Sequence, residues 1–495
     1  MGEGDGRNQE LFSYIVYLQS KGYEKEDIKE CLQIVNDYIF AEPLAEEEFE
    51  SICRDDAFKP REEINLNLNV DTKDEKYDHS EYGKALMQHY HIKTLHGQMF
   101  IYRDGYYQLD TGDVENKLID MKENITSRQR TEALKFIMLR TKVGNEVVNT
   151  NPYIVNLKNT RIDIRTGELL DFTPDEFETN RLPVNYNPNA YSEDLEKMLR
   201  KVFCNDEKVI ELFEEMVGYC LIRHCRYHKA FILYGSGSNG KSTILGLLKA
   251  FLGANNHSAI ELNRLSERFM TSQVENKLAN IGDDINSTVM RDTGTLKKLF
   301  SGDSLQVERK NQDPYTITPY ATMIFSCNEL PKSRDKSDGL YRRWIFIPFN
   351  AKITPQDEDY DPRIKEKVLT DESMSHLLNL AIRGARRLIN NGRFTEPECV
   401  VKMLERYKTD NSSILSWIED KQITTHYMVN TPCDYIYEDY RDWCNQSGVR
   451  HITGKNTFFK EVIHEFNLSE KRTQHKVDEV RKWYFKSLEP EKNCA

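Results

Sequence analysis

The chain has 495 residues, 39% hydrophobic and 30% charged, with a formal net charge of −12 at pH 7. Such a length carries several domains with cores of their own, and the composition excludes a collagen-like or low-complexity chain. No apolar run approaches the ~18–20 residues of a membrane span, MGEGDGRNQE lacks the apolar stretch of a secretory signal, and the ten cysteines form no CxxC pair, so the expectation is a cytoplasmic protein with reduced thiols and no membrane partner.

Residues 1–80 hold 9 Lys/Arg against 21 Asp/Glu, and the remainder balances at 59 of each. The acidity is therefore local and does not oppose nucleic acid at a basic surface elsewhere. Residues 1–60 read as a helical module. Leu11, Ile15 and Leu18 share one face and Ile28, Leu32, Val35 and Ile39 another, with Gly22 between and Pro43 before a third start at AEEEFESICR. Residues 55–80 are charged, without a clear period, and read as a linker.

Residues 81–215 read as a mixed α+β domain. MFIYRDGYYQLD places aromatic strands around Asp104-Gly105, and YIVNLKNTRIDIRTGELLDF predicts two more around Thr166-Gly167. Residues 192–228 look helical; Cys220, His224, Cys225 and His228 lie close together there, at a spacing that suits no standard zinc site. Residues 216–408 are expected to form an α/β core with a parallel sheet, helical again over 365–408. Residues 409–495 alternate short helices with polar turns and end in the strand-like RKWYFKSL. From Arg441 to Lys486, 10 Lys/Arg face 6 Asp/Glu, interleaved with Trp443, Phe458, Phe459 and Trp483; the pattern fits either a small basic-faced core or a DNA contact.

The most informative stretch is FILYGSGSNGKSTILGLLKAFLG, residues 231–253. Phe231–Tyr234 reads as a buried strand, and Ile244, Leu247, Leu248 and Phe251 fall at helical spacing. Between them, Gly235, Gly237, Ser238, Asn239, Gly240, Lys241, Ser242 and Thr243 fit GxxxxGK[ST]. Glycines let a backbone curl so that its N–H groups meet phosphate oxygens at a helix N-terminus; Lys241 then reaches the β- and γ-phosphates and Ser242 ligates Mg²⁺. ATP and Mg²⁺ are the expected cofactors.

Such a site needs acids. In KLANIGDDIN, a strand over 278–281 would end at Asp283, holding the metal, and Asp284, polarising the attacking water. Alone, a carboxylate pair also suits a solvated turn. A further strand, ATMIFSCNELP, ends at Asn328, which could orient water or simply form the turn before Leu330-Pro331. GLYRRWIFIPF carries Arg342 and Arg343 at its start, fitting an arginine finger or a surface pair.

In this order, with LKKLFSGDSLQVERKNQDPYTITP between the second and third, the motifs resemble helicase superfamily 3 of the AAA+ ATPases. Within it the chain is similar to the phage and plasmid primase–helicases, which include the poxvirus primase–helicase. The resemblance extends to residues 1–60 as the module following a primase domain, 81–215 as the pre-helicase domain, and 409–495 as a winged-helix-like domain. It implies a homo-hexameric ring that hydrolyses ATP between subunits and moves 3′→5′ on single-stranded DNA, with forked DNA and a primase or other replication proteins as partners. It makes Arg343, directly before an apolar strand, the favoured trans-acting arginine. It makes Arg309 and Lys310 the candidates for gripping DNA in a channel hairpin, and Lys297 and Lys298 second choices.

The expected setting is a bacterial cytoplasm, with a phage or mobile element as source. Because the chain starts at the helical module, a short form or fragment without primer synthesis is expected. Competing readings are an AAA+ initiator or loader that uses ATP only for assembly, an adaptor with a degenerate site, and a small-molecule kinase.

Overall fold

The computed structural model describes residues 14, 15, 18, 25–38, 44, 45, 49, 52, 53, 77–283, 290, 293–333, 335–449, 451–477 and 480–488. They fall into two compact units, residues 1–89 with 112–137, and residues 90–111 with 138–495.

In the first unit, helix α1 (Lys25–Tyr38) presents Ile28 and Leu32 to a small core shared with Ile15, Leu18, Leu44, Phe49 and Cys53. The Asn36 side-chain oxygen accepts from the Leu44 N–H at 2.8 Å, tying the chain beyond the helix back to it. Leu11, Gly22, Ile39 and Pro43 and most of the expected linker lie outside the described residues. Helices α2 (His79–His89), α3 (Asp113–Met121) and the first part of α4 (Ser127–Arg140) follow. At Gly83 a Cβ would meet Phe136 Cδ1 at 2.5 Å, so only glycine permits that approach of α2 and α4.

The second unit opens with an antiparallel sheet, β1 (Ile92–Leu95), β2 (Gln98–Arg103) and β3 (Tyr106–Leu109). The β2–β3 turn falls at Asp104-Gly105, both at positive φ, as the sequence predicts; β1 adds a strand the reading did not anticipate. The second expected hairpin is three strands: β4 (Ile154–Asn156), β5 (Arg161–Asp163) and β6 (Leu169–Leu170). A turn over 157–160, closed by the Leu157 N–H donating to Thr160 O, divides what reads as one strand.

The helical stretch over 192–228 is two helices, α5 (Glu193–Val202) and α6 (Glu207–Tyr219), N-capped by Ser192 and Asp206. The expected boundary at 215/216 falls inside α6. Beyond it, the Cys225 thiol donates to Pro319 O, and His224 Nε2 lies 3.1 Å from the Tyr153 hydroxyl.

The core runs β7 (Ala230–Tyr234), α7 (Lys241–Leu252), β8 (His257–Ser258), β9 (Ala279–Gly282), α8 (Gly294–Ser301), β10 (Leu305–Val307), β11 (Tyr315–Ile317), β12 (Thr322–Cys327), α9 (Asp338–Tyr341) and β13 (Trp344–Pro348). Five strands form one parallel sheet in the order β13-β7-β12-β9-β8. Alternation along each strand divides two cores. Phe231, Leu233, Ile324, Ile345 and Ile347 face one, with α5, α6 and α7; Ile232, Met323, Phe325, Trp344 and Phe346 face the other, with α8. This is why β7 and β13 read as apolar runs.

The stretch expected to be helical over 365–408 holds three helices, α10 (Ile364–Lys367), α11 (Asp371–Asn391) and α12 (Glu398–Asn411); Gly392, at φ +67, ends α11. The C-terminal segment packs α13 (Ser413–Asp420), α14 (Thr425–Asn430), α15 (Cys433–Gln446) and α16 (Lys455–Glu465) around Trp417, Tyr440 and Phe458. An antiparallel ribbon, β14 (Thr473–Val477) and β15 (Val480–Tyr484), ends it.

Helices α6 and α11 cross at two glycines. A Cβ on Gly384 would lie 2.2 Å from Glu214 O, and one on Gly218 would lie 2.4 Å from Ala381 O. Buried carboxylates flank the crossing. Glu215 accepts from Arg387 Nε at 2.8 Å and from the Thr395 N–H at 2.7 Å; Glu214 accepts from Arg383 and Arg387. At an exposed helical site, Gly→Ala stabilises by ~1 kcal/mol. Here the backbone clash reverses the sign, and Gly384→Ala should destabilise by roughly 1–3 kcal/mol. A lower unfolding midpoint in a denaturant melt checks this; an unchanged or higher midpoint would contradict the close crossing.

Candidate functional site

The glycine-rich loop leaves β7 at Gly235 and enters α7 at Lys241. Gly237 (φ +107), Ser238 (φ +49) and Gly240 (φ +86) all take left-handed or related conformations, so the loop turns back on itself. Gly235 has no room for a side chain, since a Cβ would meet Asn239 Nδ2 at 2.2 Å and Phe349 O at 2.7 Å. The N-cap of α7 is Gly240, which has no side chain to cap the helix, so the N-terminal dipole of α7 faces the loop.

The sequence reading places Asn239 among nucleotide contacts; its side chain turns inward, and the residue is 3% exposed. Its Nδ2 donates to Phe349 O at 3.2 Å, and its Oδ1 accepts from the Lys241 N–H at 3.4 Å. Ser238 O accepts from the Ile353 N–H at 2.7 Å. The chain leaving β13 thus clamps the loop from behind, and Asn239 positions it. Ser242 is exposed and Thr243 half-buried at the start of α7.

Lys241 is buried, and three oxygens surround its amine. Nζ donates to Cys327 O at 2.9 Å, to Asn328 Oδ1 at 2.6 Å and to Gly235 O. The parallel pairing of β7 with β12 brings these groups together, because the two strands end at the same edge. On the other side of β12, β9 ends beside Asp283, whose Oδ1 accepts from Ser326 Oγ at 2.6 Å. Asp283 and Asn328 are otherwise exposed. Lysine, acid and amide therefore converge on the last residues of β12. Ser326 was missed by the sequence reading; a hydroxyl inside an otherwise apolar strand is the signal that could have found it. Asp284 lies outside the described residues.

A cavity of about 1030 Å³ opens beside the loop, with Met198, Val202, Thr243, Ile353, Tyr360 and Ile364 on its walls. Lys201, from α5, pairs with Asp357 at 3.3 Å and with Asp359 at its rim.

Arg343 directly precedes the strand that begins at Trp344, as expected. Arg342 and Arg343 connect α9 to β13, with Arg342 as the C-cap of α9. Arg342 is exposed. Arg343, the favoured finger, is folded onto its own chain: Nη2 and Nε donate to Ser301 Oγ at 2.8 and 3.2 Å, and Nη1 to Gly339 O. Burial, and then the charge of Arg342, move its pKa below the ordinary arginine value.

Strands β10 and β11 form the expected hairpin, and Lys310 is exposed in its connection. Arg309 is not displayed with it; its guanidinium pairs with Glu275. Lys297 is likewise engaged, with Asp335 at 2.5 Å and Ser337 Oγ at 3.1 Å, whereas Lys298 is exposed. Burial opposes ionisation of Asp335, but the hydrogen bonds from Lys297, Thr293 and Ser337 outweigh it and hold the carboxyl well below its usual range. Of the four basic candidates, two are therefore exposed and two tethered.

A family model described as D5 N terminal like matches residues 91–204, and one described as a family of unknown function (DUF5906) matches residues 233–343. The chain is 23% identical over 394 residues to "Putative helicase 121R" of Invertebrate iridescent virus 3, covering 72% of this chain and 42% of that protein. It is 27% identical over 231 residues to "Putative helicase L207/L206" of Acanthamoeba polyphaga mimivirus, covering 43% of this chain and 23% of that one. It thus spans less than half the length of the curated relatives it matches. The apo structure of the NrS-1 C terminal region has a similar fold, with a TM-score of 0.53 at 13% identity over 83% of this chain and all of that one. Among the described residues, no helix is long and apolar enough to cross a membrane. The two matched segments and the similarity to these helicase-named proteins thus fall on the loop, the sheet and the domain ahead of them, and the fold is that of the NrS-1 C terminal region.

Proposed function

We propose that the chain is an AAA+ ATPase of helicase superfamily 3 that couples ATP hydrolysis to DNA unwinding, as a homo-hexameric ring moving 3′→5′ on single-stranded DNA. The observation that carries this reading is the 2.6 Å contact between Lys241 Nζ and Asn328 Oδ1, beside the Ser326–Asp283 hydrogen bond. A phosphate-binding cation, a metal-binding acid and a water-orienting amide are the parts that phosphoryl transfer to water requires.

The residues present fit Mg²⁺ and a nucleoside triphosphate. The loop curls ahead of a helix whose N-cap is glycine, and oxygens that a phosphate can replace surround the lysine. Ser242 and Asp283 would hold the Mg²⁺, which when bound neutralises charge on the β- and γ-phosphates. Lys241 exchanges its neutral oxygens for phosphate, a stronger charge-assisted partner. That exchange frees the Asn328 carboxamide to orient water, with Asp284 as the base that accepts its proton. The cavity walled by Met198, Val202 and Tyr360 would take the nucleobase.

Lys241→Ala should lower steady-state ATP hydrolysis by more than roughly a hundredfold, and single-stranded DNA should stimulate the wild-type rate. Hydrolysis retained in Lys241→Ala would sink the assignment of the site.

The exposed position of Arg342 makes it the better-placed arginine for a neighbouring subunit, and the tether on Arg343 gives that residue a role inside its own. Arg342→Ala should therefore abolish hydrolysis while leaving nucleotide binding intact. Mixing it with Lys241→Ala should restore part of the activity, because one interface then pairs an intact loop with an intact finger. If only Arg343→Ala complements Lys241→Ala, the finger is Arg343 and its tether opens on assembly. No recovery with either arginine variant would contradict a site shared between subunits.

A further inference from the structure

Three segments remote in sequence meet at one carboxylate. Glu275 follows Val274, His96 lies in the β1–β2 turn, and Arg309 and Tyr315 belong to the β10–β11 hairpin. The Glu275 side chain is 7% exposed. Its Oε1 lies 2.8 Å from His96 Nδ1, and its Oε2 accepts from the Tyr315 hydroxyl at 2.8 Å and from Arg309 Nη2. The guanidinium also lies over the Tyr315 ring, 5.0 Å from its centroid. Burial first, and then the Glu275 charge, raise the Tyr315 pKa, so the phenol keeps its proton and remains a donor.

The hairpin has supports of its own. Leu305, Val307 and Ile317 are buried in the second core, β10 and β11 pair over three residues each, and Asn145 Nδ2 donates to Thr316 O at 3.2 Å. Glu275 therefore matters chiefly for where Arg309 points. The pairing also leaves a donor unused, since Arg309 Nη1 is buried without a hydrogen-bond partner among the described residues. A guanidinium fork satisfied on one arm only is held less favourably than one paired on both. One residue further, Lys310 borders an open depression of about 1170 Å³ that Lys142 and Arg268 also line.

We propose that Glu275 occupies the place of a DNA backbone phosphate on Arg309, so that the hairpin engages a strand with Arg309 only after exchanging this carboxylate for phosphate. The proposal rests on the helicase reading. It makes Glu275 a positioning residue that withholds one of the hairpin's two cations in the DNA-free state. Lys310 stays available for first encounter, and Arg309 joins when a phosphate arrives with the geometry to satisfy both arms of its fork.

The test is binding of the full chain to a fluorescent oligothymidylate, by anisotropy across a salt series. Wild type is compared with Glu275→Gln, Arg309→Ala and the double variant. Glu275→Gln keeps the shape and an acceptor but removes the charge. It should bind several-fold more tightly, and its slope of log affinity against log salt should steepen by about 0.7, one phosphate contact on a single strand. The double variant should return to the affinity of Arg309→Ala alone, an outcome that a general loosening of the hairpin would not give. Should Glu275→Gln fail to fold, Glu275→Asp, which keeps the charge but shortens the reach, carries the same comparison. Wild-type binding that the Glu275 variant leaves unchanged, or a gain that survives in the double variant, would overturn the proposal alone. No binding by any of these proteins would overturn the DNA reading with it.

Discussion

The candidate site depends on β12 lying between β7 and β9 with all three strands parallel. Parallel strands end at one edge, so the loop after β7, the acid after β9 and the amide after β12 are delivered to the same place from positions far apart in sequence. Alternation then assigns roles along β12. Ile324 and Phe325 enter opposite cores, while Ser326, Cys327 and Asn328 supply a hydroxyl to Asp283 and two oxygens to Lys241. A buried ammonium needs such oxygens because its desolvation would otherwise disfavour the fold. The same requirement is what would favour an anion there, since phosphate satisfies a lysine better than neutral oxygens do.

The loop is held by parts of the chain beyond its motif. Asn239 and Ser238 bond to the segment leaving β13, and Gly240 leaves room for Val202, whose Cγ2 lies 2.5 Å from where a Cβ would stand. Val202 belongs to the segment matched by the D5 N terminal like model, and Gly240 to the segment matched by the second model. The two matched regions are therefore packed through the glycine-rich loop. The glycine crossing of α6 and α11 supports this arrangement from behind, because α6 follows α5 directly and shares its core with α7.

Much of this was legible in the sequence, for physical reasons. The loop announces itself because phosphate binding fixes glycine, lysine and hydroxyl at set spacings, and the buried strands announce themselves as apolar runs. β9 was harder. Asn280 and Gly282 look like interruptions, yet Asn280 is fully buried and bonds to Ser258 Oγ and to both backbone groups of Ile260, while Gly282 admits Ile260 O at 2.5 Å from its would-be Cβ. Such residues serve a neighbouring segment, and no local pattern announces that. Glu275 is a similar case, one acid among many until the fold brings His96, Arg309 and Tyr315 to it. The arginine pair was placed by motif order, which fixes its neighbourhood but not which guanidinium folds inward; Ser301, 42 residues away, decides that.

The most direct measurement is unwinding of forked DNA substrates bearing a single 3′ or 5′ tail, with ATP and Mg²⁺, alongside a control with a non-hydrolysable ATP analogue. A motor built on this site predicts ATP-dependent strand separation from the 3′-tailed fork. Hydrolysis that proceeds with neither fork unwound would contradict the motor and leave ATP to govern assembly alone.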